Sequence, residues 1–342
     1  MERELTGLAW IWLQFAACAA LIGAAGPVLV RNGDIIAEKT GLSRGWIGLI
    51  LLATVTSLPE LATGISAVSV AGAPDIAVGD ALGSCVFNLA ILIVIDVMHR
   101  DGLLFRRARQ GHILSAGFGV LLIGFAGISL LLGRQGFDWR LGHVGLSTPI
   151  IVVLYAVAAR AVFRYERRER QSYVEAVAER YPGITLETAM RRYLGAALVV
   201  IGAGVWLPFV GDALATAMDW RQSFVGTLLV AGITSLPELV VAVSAVRLGA
   251  LDMAIASLLG SNLFDILILA IDDLAYWEGP LLRAVSSAHA VTAMSAVIMT
   301  AIVIIGLLYR PEGRVFRTFG WTSLGLFTVY LFNAYVMFLH GH

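Results

Sequence analysis

Apolar runs of about 20 residues recur along this 342-residue chain, and nothing else in the sequence constrains its fold so tightly. A run of that length crosses a bilayer as a helix, because lipid offers no partner for an open backbone. Charged residues make up 14% of the chain and apolar ones 58%. A soluble domain carries about a quarter charged residues, so this surface is built for lipid. Spans are predicted at 8–30, 46–71, 75–98, 112–132, 145–163, 193–217, 222–247, 252–275, 285–309 and 318–339. The expected fold is all-α: a polytopic membrane protein of ten transmembrane helices. Trp10, Trp46, Trp139, Trp220, Trp277 and Trp321 lie near span ends, where an interfacial belt would place them.

Ten spans put both termini on one side. Arg3, Arg134, Arg140, Arg221 and Arg283 fall on that side, and the other nineteen of the 24 basic residues fall opposite, among them Arg106, Arg107, Arg109, Arg167, Arg168 and Arg170. The positive-inside rule makes the richer side cytoplasmic and both termini external, in a plasma or bacterial inner membrane. The longest connector, 164–192, reads as an amphipathic or partly helical cytoplasmic linker. MERELTGLAW lacks a clear positive leader region, so the first span is read as retained. Lys39 is the only lysine, which excludes a Walker A loop and with it ATP hydrolysis. Cys18 and Cys85 lie inside apolar runs and read as small buried residues. No cofactor, nucleic acid or protein partner is expected.

The chain contains a duplication. ATVTSLPELATGISAV at 53–68 matches AGITSLPELVVAVSAV at 231–246 with an offset of 178. ALGSCVFNLAILIVID at 81–96 matches LLGSNLFDILILAIDD at 258–273 with an offset of 177. Gly26, Gly33, Asp34 and Gly48 match Gly204, Gly211, Asp212 and Gly226 at 178, so the repeat begins in the first span. The halves are 1–163, with its motif at 46–98, and 193–342, with its motif at 222–275. Five spans per unit is odd, so tandem units insert in opposite directions. Two inverted five-helix repeats result, an architecture that holds substrate at the midplane between them.

Glu60 falls about 14 residues into its span, near mid-bilayer at roughly 1.5 Å per residue, and Glu238 matches it in depth. An acid at that depth costs about 2.5–3.5 kcal/mol on insertion scales. A cation shared by the two offsets both costs, and no basic residue lies at similar depth. Pro59 and Pro237 each lack an N–H, so the carbonyls of Val55 and Ile233 lose their helical partners. Carbonyls near Ala53 and Ala231 can then face an ion, beside the hydroxyls of Thr56, Ser57, Thr234 and Ser235. Ser84 with Asn88, and Ser261 with Asp265, are four apart and share a helical face. Asp80 extends the first row and Ser257 the second. An all-oxygen lining suits a hard cation such as Ca²⁺. Gly79, Gly83 and Gly260 read as helix-packing positions. Asp96, Asp272 and Asp273 sit at span ends, where they either attract cations to the mouths or are simply solvated.

At TSLPE with GSxxFN, and TSLPE with GSNxFD, the sequence resembles the sodium/calcium exchangers of the Ca²⁺/cation antiporter superfamily, over most of the chain. The resemblance implies Na⁺-driven Ca²⁺ transport by alternating access, with two first-span helices sliding over a static core. It implies Glu60 and Glu238 as main Ca²⁺ ligands shared with Na⁺, flanked by Asn88 and Asp265. Thr56, Ser57, Ser84, Thr234, Ser235 and Ser261, with carbonyls at Ala53 and Ala231, would complete the Na⁺ sites. Ca²⁺ and Na⁺ are then substrates, not cofactors. Four positions depart from the family's pattern: Val55 and Ile233 stand where it usually has Gly, Cys85 where it has Asn, and Asp80 where it commonly has Asn. Asp80 is read as either an added cation or proton site or a packing hydrogen bond. A K⁺- or H⁺-driven antiporter, or one moving another divalent ion, is the nearest alternative. A cation channel or an intramembrane enzyme lacks its expected pore ring or catalytic set here.

Overall fold

The computed structural model describes residues 2–40, 55–98, 104–135, 140–170, 183–247, 249, 251–310, 314–315 and 319–339. Helices dominate: α1 (Glu2–Lys39), α2 (Leu58–Ser66), α3 (Pro74–Met98), α4 (His112–Arg134), α5 (Ser147–Arg170) and α6 (Leu186–Met218) come first. They are followed by α7 (Ala231–Thr234), α8 (Leu236–Arg247), α9 (Leu251–Ala275), α10 (His289–Tyr309) and α11 (Trp321–Leu339). Two-residue hairpins precede α5 and α11, pairing Arg140 with Gly145 and Arg314 with Gly320. These small antiparallel pairs are the departure from the all-α expectation. Each pair gives partners to backbone groups just before a span-length helix.

Eight helices among the described residues are long and apolar enough to cross a membrane, and the pair Gln222–Thr234 plus Leu236–Arg247, bent by 43°, makes a ninth. The protein is therefore a multi-pass membrane protein. Of the predicted span 46–71, only 55–71 is described, as α2 and a π-helical turn Ala67–Ala71. α1 and α6 are longer than the predicted spans 8–30 and 193–217. At about 1.5 Å per residue, 38 and 33 residues outrun the roughly 30 Å hydrocarbon layer. Hydropathy finds the apolar window, whereas charged helix formers such as Glu38 and Arg191 let the helix continue into water. Both ends of the predicted linker prove helical: α5 runs to Arg170, and Thr185 caps α6 by accepting from the Thr188 N–H at 3.3 Å.

α1 and α6 form the most extensive helix pair in the fold. α3 and α9 lie at the centre of the main apolar cluster, with α4 and α10 around them. Large apolar side chains on the outer helices, including Leu198, Val153, Ile305 and Phe332, are exposed where lipid would solvate them. Gly83 explains how the central helices come so close. A Cβ there would lie 2.3 Å from the Thr227 carbonyl oxygen, inside the π-helical segment Val225–Val230. Gly260 has open space around its missing Cβ, so the packing role expected for it does not hold.

Acids at the ends of α3 and α9, buried in the case of Asp96 and Asp273, lace the halves together. Asp96 accepts from the Leu104 N–H at 3.2 Å, the Gly320 N–H at 2.9 Å and the Ser323 hydroxyl at 2.6 Å. Asp273, its counterpart at offset 177, accepts from the Leu281 N–H at 2.6 Å, the Gly145 N–H at 2.8 Å and the Thr148 hydroxyl. Asp75 Oδ1 accepts from the Ser286 N–H at 2.7 Å and lies 2.8 Å from His289 Nε2. Asp252 Oδ1 accepts from the Arg109 N–H at 2.8 Å and lies 3.0 Å from His112 Nε2. The contacts of Asp75 and Asp252, and those of Asp96 with Leu104 and Asp273 with Leu281, are the same contacts shifted by 177 along the duplication, whereas Gly145 and Gly320, like Thr148 and Ser323, are 175 apart. Asp96 and Asp273 are thus neither solvated nor free for ions. Their oxygens are committed to backbone and hydroxyl donors, each charged bond worth about 1.5–3 kcal/mol.

Candidate cation site

The two TSLPE segments break their helices at the serine. Ser57 has φ −89° and ψ 19°, and Ser235 has φ −79° and ψ 7°, each a single non-helical residue before a proline-led helix. Pro59 and Pro237 cannot donate to the preceding turn and are tolerated in the first turn of α2 and α8. Glu60 and Glu238 therefore occupy first turns, where the exposed N–H groups and the helix dipole favour a carboxylate.

The helices bring these acids into one buried cluster. Glu60, Glu238, Asp265 and Asn88 are each 1% exposed, and Thr56, Asp80, Ser84, Thr234 and Ser261 are 0% exposed. Ser57 and Ser235 are buried with them. Ser57 and Ser261 both donate to Glu238 Oε1 at 3.4 Å, which joins the break before α2 to the acid of α8. Thr56 and Ser261 hydroxyls lie 3.4 Å apart, and Ser84 and Thr234 hydroxyls 3.5 Å apart. These two contacts are the same contact in opposite halves. Asn88 Nδ2 donates to Asp265 Oδ2 at 3.4 Å, again between matched positions.

Oxygens inside the cluster stay unsatisfied: Glu60 Oε2, Glu238 Oε2, Asp80 Oδ2, Asn88 Oδ1 and the Ser235 hydroxyl are buried with no hydrogen-bond partner. Glu60 is within electrostatic reach of Glu238, Asp265 and Asp80. Among the described residues no ion pair involves any of the four acids. Buried polar groups left in this state cost about 1–3 kcal/mol each, and more when charged, a cost that a bound cation would offset. Among the described residues no three His, Cys, Asp or Glu side chains converge into a ready-made metal cluster. Any ion here therefore draws on hydroxyl, amide and carbonyl oxygens as well, the mixture suited to a hard cation.

Individual expectations fare differently. Asp80 is in the cluster: Oδ1 accepts from the Thr234 hydroxyl at 2.7 Å, the packing hydrogen bond of one reading, and Oδ2 has no partner. Ser257 is only partly buried. The Ala231 carbonyl is not freed by the helix break, since it accepts from the Ser235 N–H at 3.0 Å. The proline acts four residues back, on Ile233, and leaves the Ala231 bond intact. Ala53 lies outside the described residues. Asn262 was not anticipated. Its Nδ2 donates to the Cys85 carbonyl at 3.2 Å, its Oδ1 is unpartnered, and Cys85 Sγ lies 3.8 Å from Asp265 Oδ2. The repeat offset pairs Asn262 with Cys85 and was the signal that could have found it.

The sequence profile of the sodium/calcium exchanger protein family matches residues 10–164 and 192–336. The chain belongs to the sodium/calcium exchanger family. Sodium/calcium exchanger MaX1 of Methanosarcina acetivorans is 31% identical over 338 residues, covering 90% of this chain and 93% of that protein. Inner membrane protein YrbG of Escherichia coli is 26% identical over 322 residues, covering 90% and 91%. Among solved structures, native YfkE superposes with a TM-score of 0.63 at 16% identity, over 99% of this chain and 96% of that one. The sodium-calcium exchanger NCX_Mj, soaked with Na⁺ and Ca²⁺, superposes with a TM-score of 0.61 at 22% identity, over 94% and 97%. At those identities the two structures speak for the fold alone.

Proposed function

We propose that this member of the sodium/calcium exchanger family is a secondary antiporter that exchanges Na⁺ for Ca²⁺ at the buried oxygen cluster by alternating access. The observation that carries the reading is the pair of buried glutamates, one from each TSLPE segment, each with an unpartnered carboxylate oxygen and, among the described residues, no basic partner. Glu60 and Glu238 would be the shared ligands. Asn88, Asp265 and Asp80 would flank them, and Thr56, Ser57, Ser84, Thr234, Ser235 and Ser261 would complete the Na⁺ positions, with a backbone carbonyl near Ala53.

Exchange follows from the electrostatics. Several carboxylates in one buried cluster repel one another until cations enter, so the loaded site can change its exposure and the empty one cannot. Na⁺ and Ca²⁺ compete for the same oxygens, so either ion supports the crossing and neither binds beside a full complement of the other. Ten spans in two inverted five-helix repeats, with both termini external and the 164–192 linker cytoplasmic, complete the proposal. Matched contacts support the inverted relation: Thr56–Ser261 mirrors Ser84–Thr234, and Asp96–Leu104 mirrors Asp273–Leu281. A plasma or bacterial inner membrane is the proposed location.

The test is uptake of radiolabelled Ca²⁺ into proteoliposomes with Na⁺, K⁺ and pH gradients imposed separately. An outward Na⁺ gradient should drive accumulation. Uptake indifferent to Na⁺ but driven by K⁺ or H⁺ would overturn the choice of driving ion.

A further inference from the structure

Asp272 stands outside the central cluster. It follows Asp265 by seven residues on α9, so it lies on the same face about 10 Å along the axis. It is 0% exposed, and neither carboxylate oxygen has a hydrogen-bond partner. The other buried acids near the ends of α3 and α9 each hold donors, as Asp96 and Asp273 do with three apiece.

Its neighbour across the interface is α2. A Cβ at Gly64 would lie 2.4 Å from Asp272 Oδ2 and 2.6 Å from Oδ1. The carboxylate therefore rests on bare backbone, one turn beyond Glu60. The charged groups that bear on it are Asp80 and Asp273, both acids. The duplication makes this position one-sided. The counterparts of Asp272 and Gly64 are Ile95 and Ala242, both fully buried in the main apolar cluster. One direction away from the centre thus carries an acid over a glycine, and the opposite direction carries two apolar side chains.

We propose that Asp272, seated on Gly64 between α2 and α9, is a second cation station that takes a hard cation on its way between the central cluster and the external face. The cytoplasmic direction has no equivalent. Assigning the cation to the transported set, and the station to the external side, rests on the antiport reading and its orientation. The station makes external cation dependence differ from cytoplasmic dependence in an otherwise matched pair of halves.

The experiment uses full-length purified protein and two readouts. Equilibrium binding of radiolabelled Na⁺ should fall by one ion per chain in Asp272→Asn and in Gly64→Ala, whose added methyl displaces the carboxylate while keeping the acid. In oriented proteoliposomes the half-saturating Na⁺ concentration should rise several-fold on the external face and stay unchanged on the cytoplasmic face. Unchanged stoichiometry with equal half-saturation on both faces overturns the proposal. So does a one-ion loss that lowering pH reproduces in the unsubstituted protein without competition by Na⁺, because the occupant is then a proton. If Asp272→Asn fails to fold, Gly64→Ala and the anomalous signal of Tl⁺ at Asp272 in crystals of the unsubstituted protein decide: a peak supports the station, its absence sinks it. Absence of Na⁺-driven Ca²⁺ flux in the unsubstituted protein would sink the antiport reading instead, while the ion count between protein and variant still reads the station.

Discussion

At the scale of single residues, the central glutamates are constrained by charge and not by shape. Gln at position 60 or 238 keeps size and a carbonyl oxygen but removes the charge that a cation neutralises. Glu60→Gln and Glu238→Gln are each expected to lower exchange by on the order of 100-fold or more, a loss of about 2.8 kcal/mol, with folded protein still recovered from the membrane. Proteoliposome flux beside size-exclusion profiles checks this, and either variant transporting normally would remove that residue from the site. Asp80→Asn should preserve the hydrogen bond from Thr234, because an amide oxygen accepts as well. It should shift the Na⁺ dependence of flux while leaving the maximal rate within a few-fold. Glu60 and Glu238 were legible in the sequence because acids at mid-span are costly and occur twice. Asp96, Asp272 and Asp273 were not, because depth alone cannot separate an acid held by three donors from one held by none. That distinction depends on where Gly145, Gly320 and Gly64 come to lie, which only the packed structure sets.

At the scale of elements, the structure divides into a laced core and a helix pair laid over it. Asp75, Asp96, Asp252 and Asp273 tie α3 and α9 to the loops that begin α4, α5, α10 and α11. Asp273→Ala would leave the N–H groups of Leu281 and Gly145 and the Thr148 hydroxyl without an acceptor. At about 1–3 kcal/mol for each unsatisfied group, a clear fall in melting temperature in detergent is expected; an unchanged melting temperature would contradict the lacing. α1 and α6 meet the broken helices through matched glycines. A Cβ on Gly26 would lie 2.7 Å from Pro237 Cγ, and one on Gly204 would lie 3.0 Å from Ala62 Cβ and 3.1 Å from the Pro59 carbonyl oxygen. If α1 and α6 slide across these contacts, Gly26→Leu and Gly204→Leu should slow exchange at least as much as they weaken equilibrium Ca²⁺ binding. The glycine match was visible in the sequence. The helix break at Ser57 and Ser235 was visible too, through the proline two residues on. The π-helical turns were not, since i→i+5 bonding leaves no signature in residue type.

At the scale of the whole molecule, the proposed orientation is open to direct labelling. Cys18 and Cys85 are both buried, so an introduced cysteine is the one a membrane-impermeant maleimide should reach. Gly7→Cys should label from outside intact cells, and Gln110→Cys only after permeabilisation; the reverse pattern would invert the topology. The central claim is that acids from two halves hold one ion between them. Calorimetric titration of Ca²⁺ into the purified protein, Glu60→Gln, Glu238→Gln and the double variant tests that claim most directly. A shared ion predicts that each single substitution abolishes the same binding event the double one does, so the losses do not add. Independent halves would instead give single variants that each retain half the bound Ca²⁺, and that result would contradict the account.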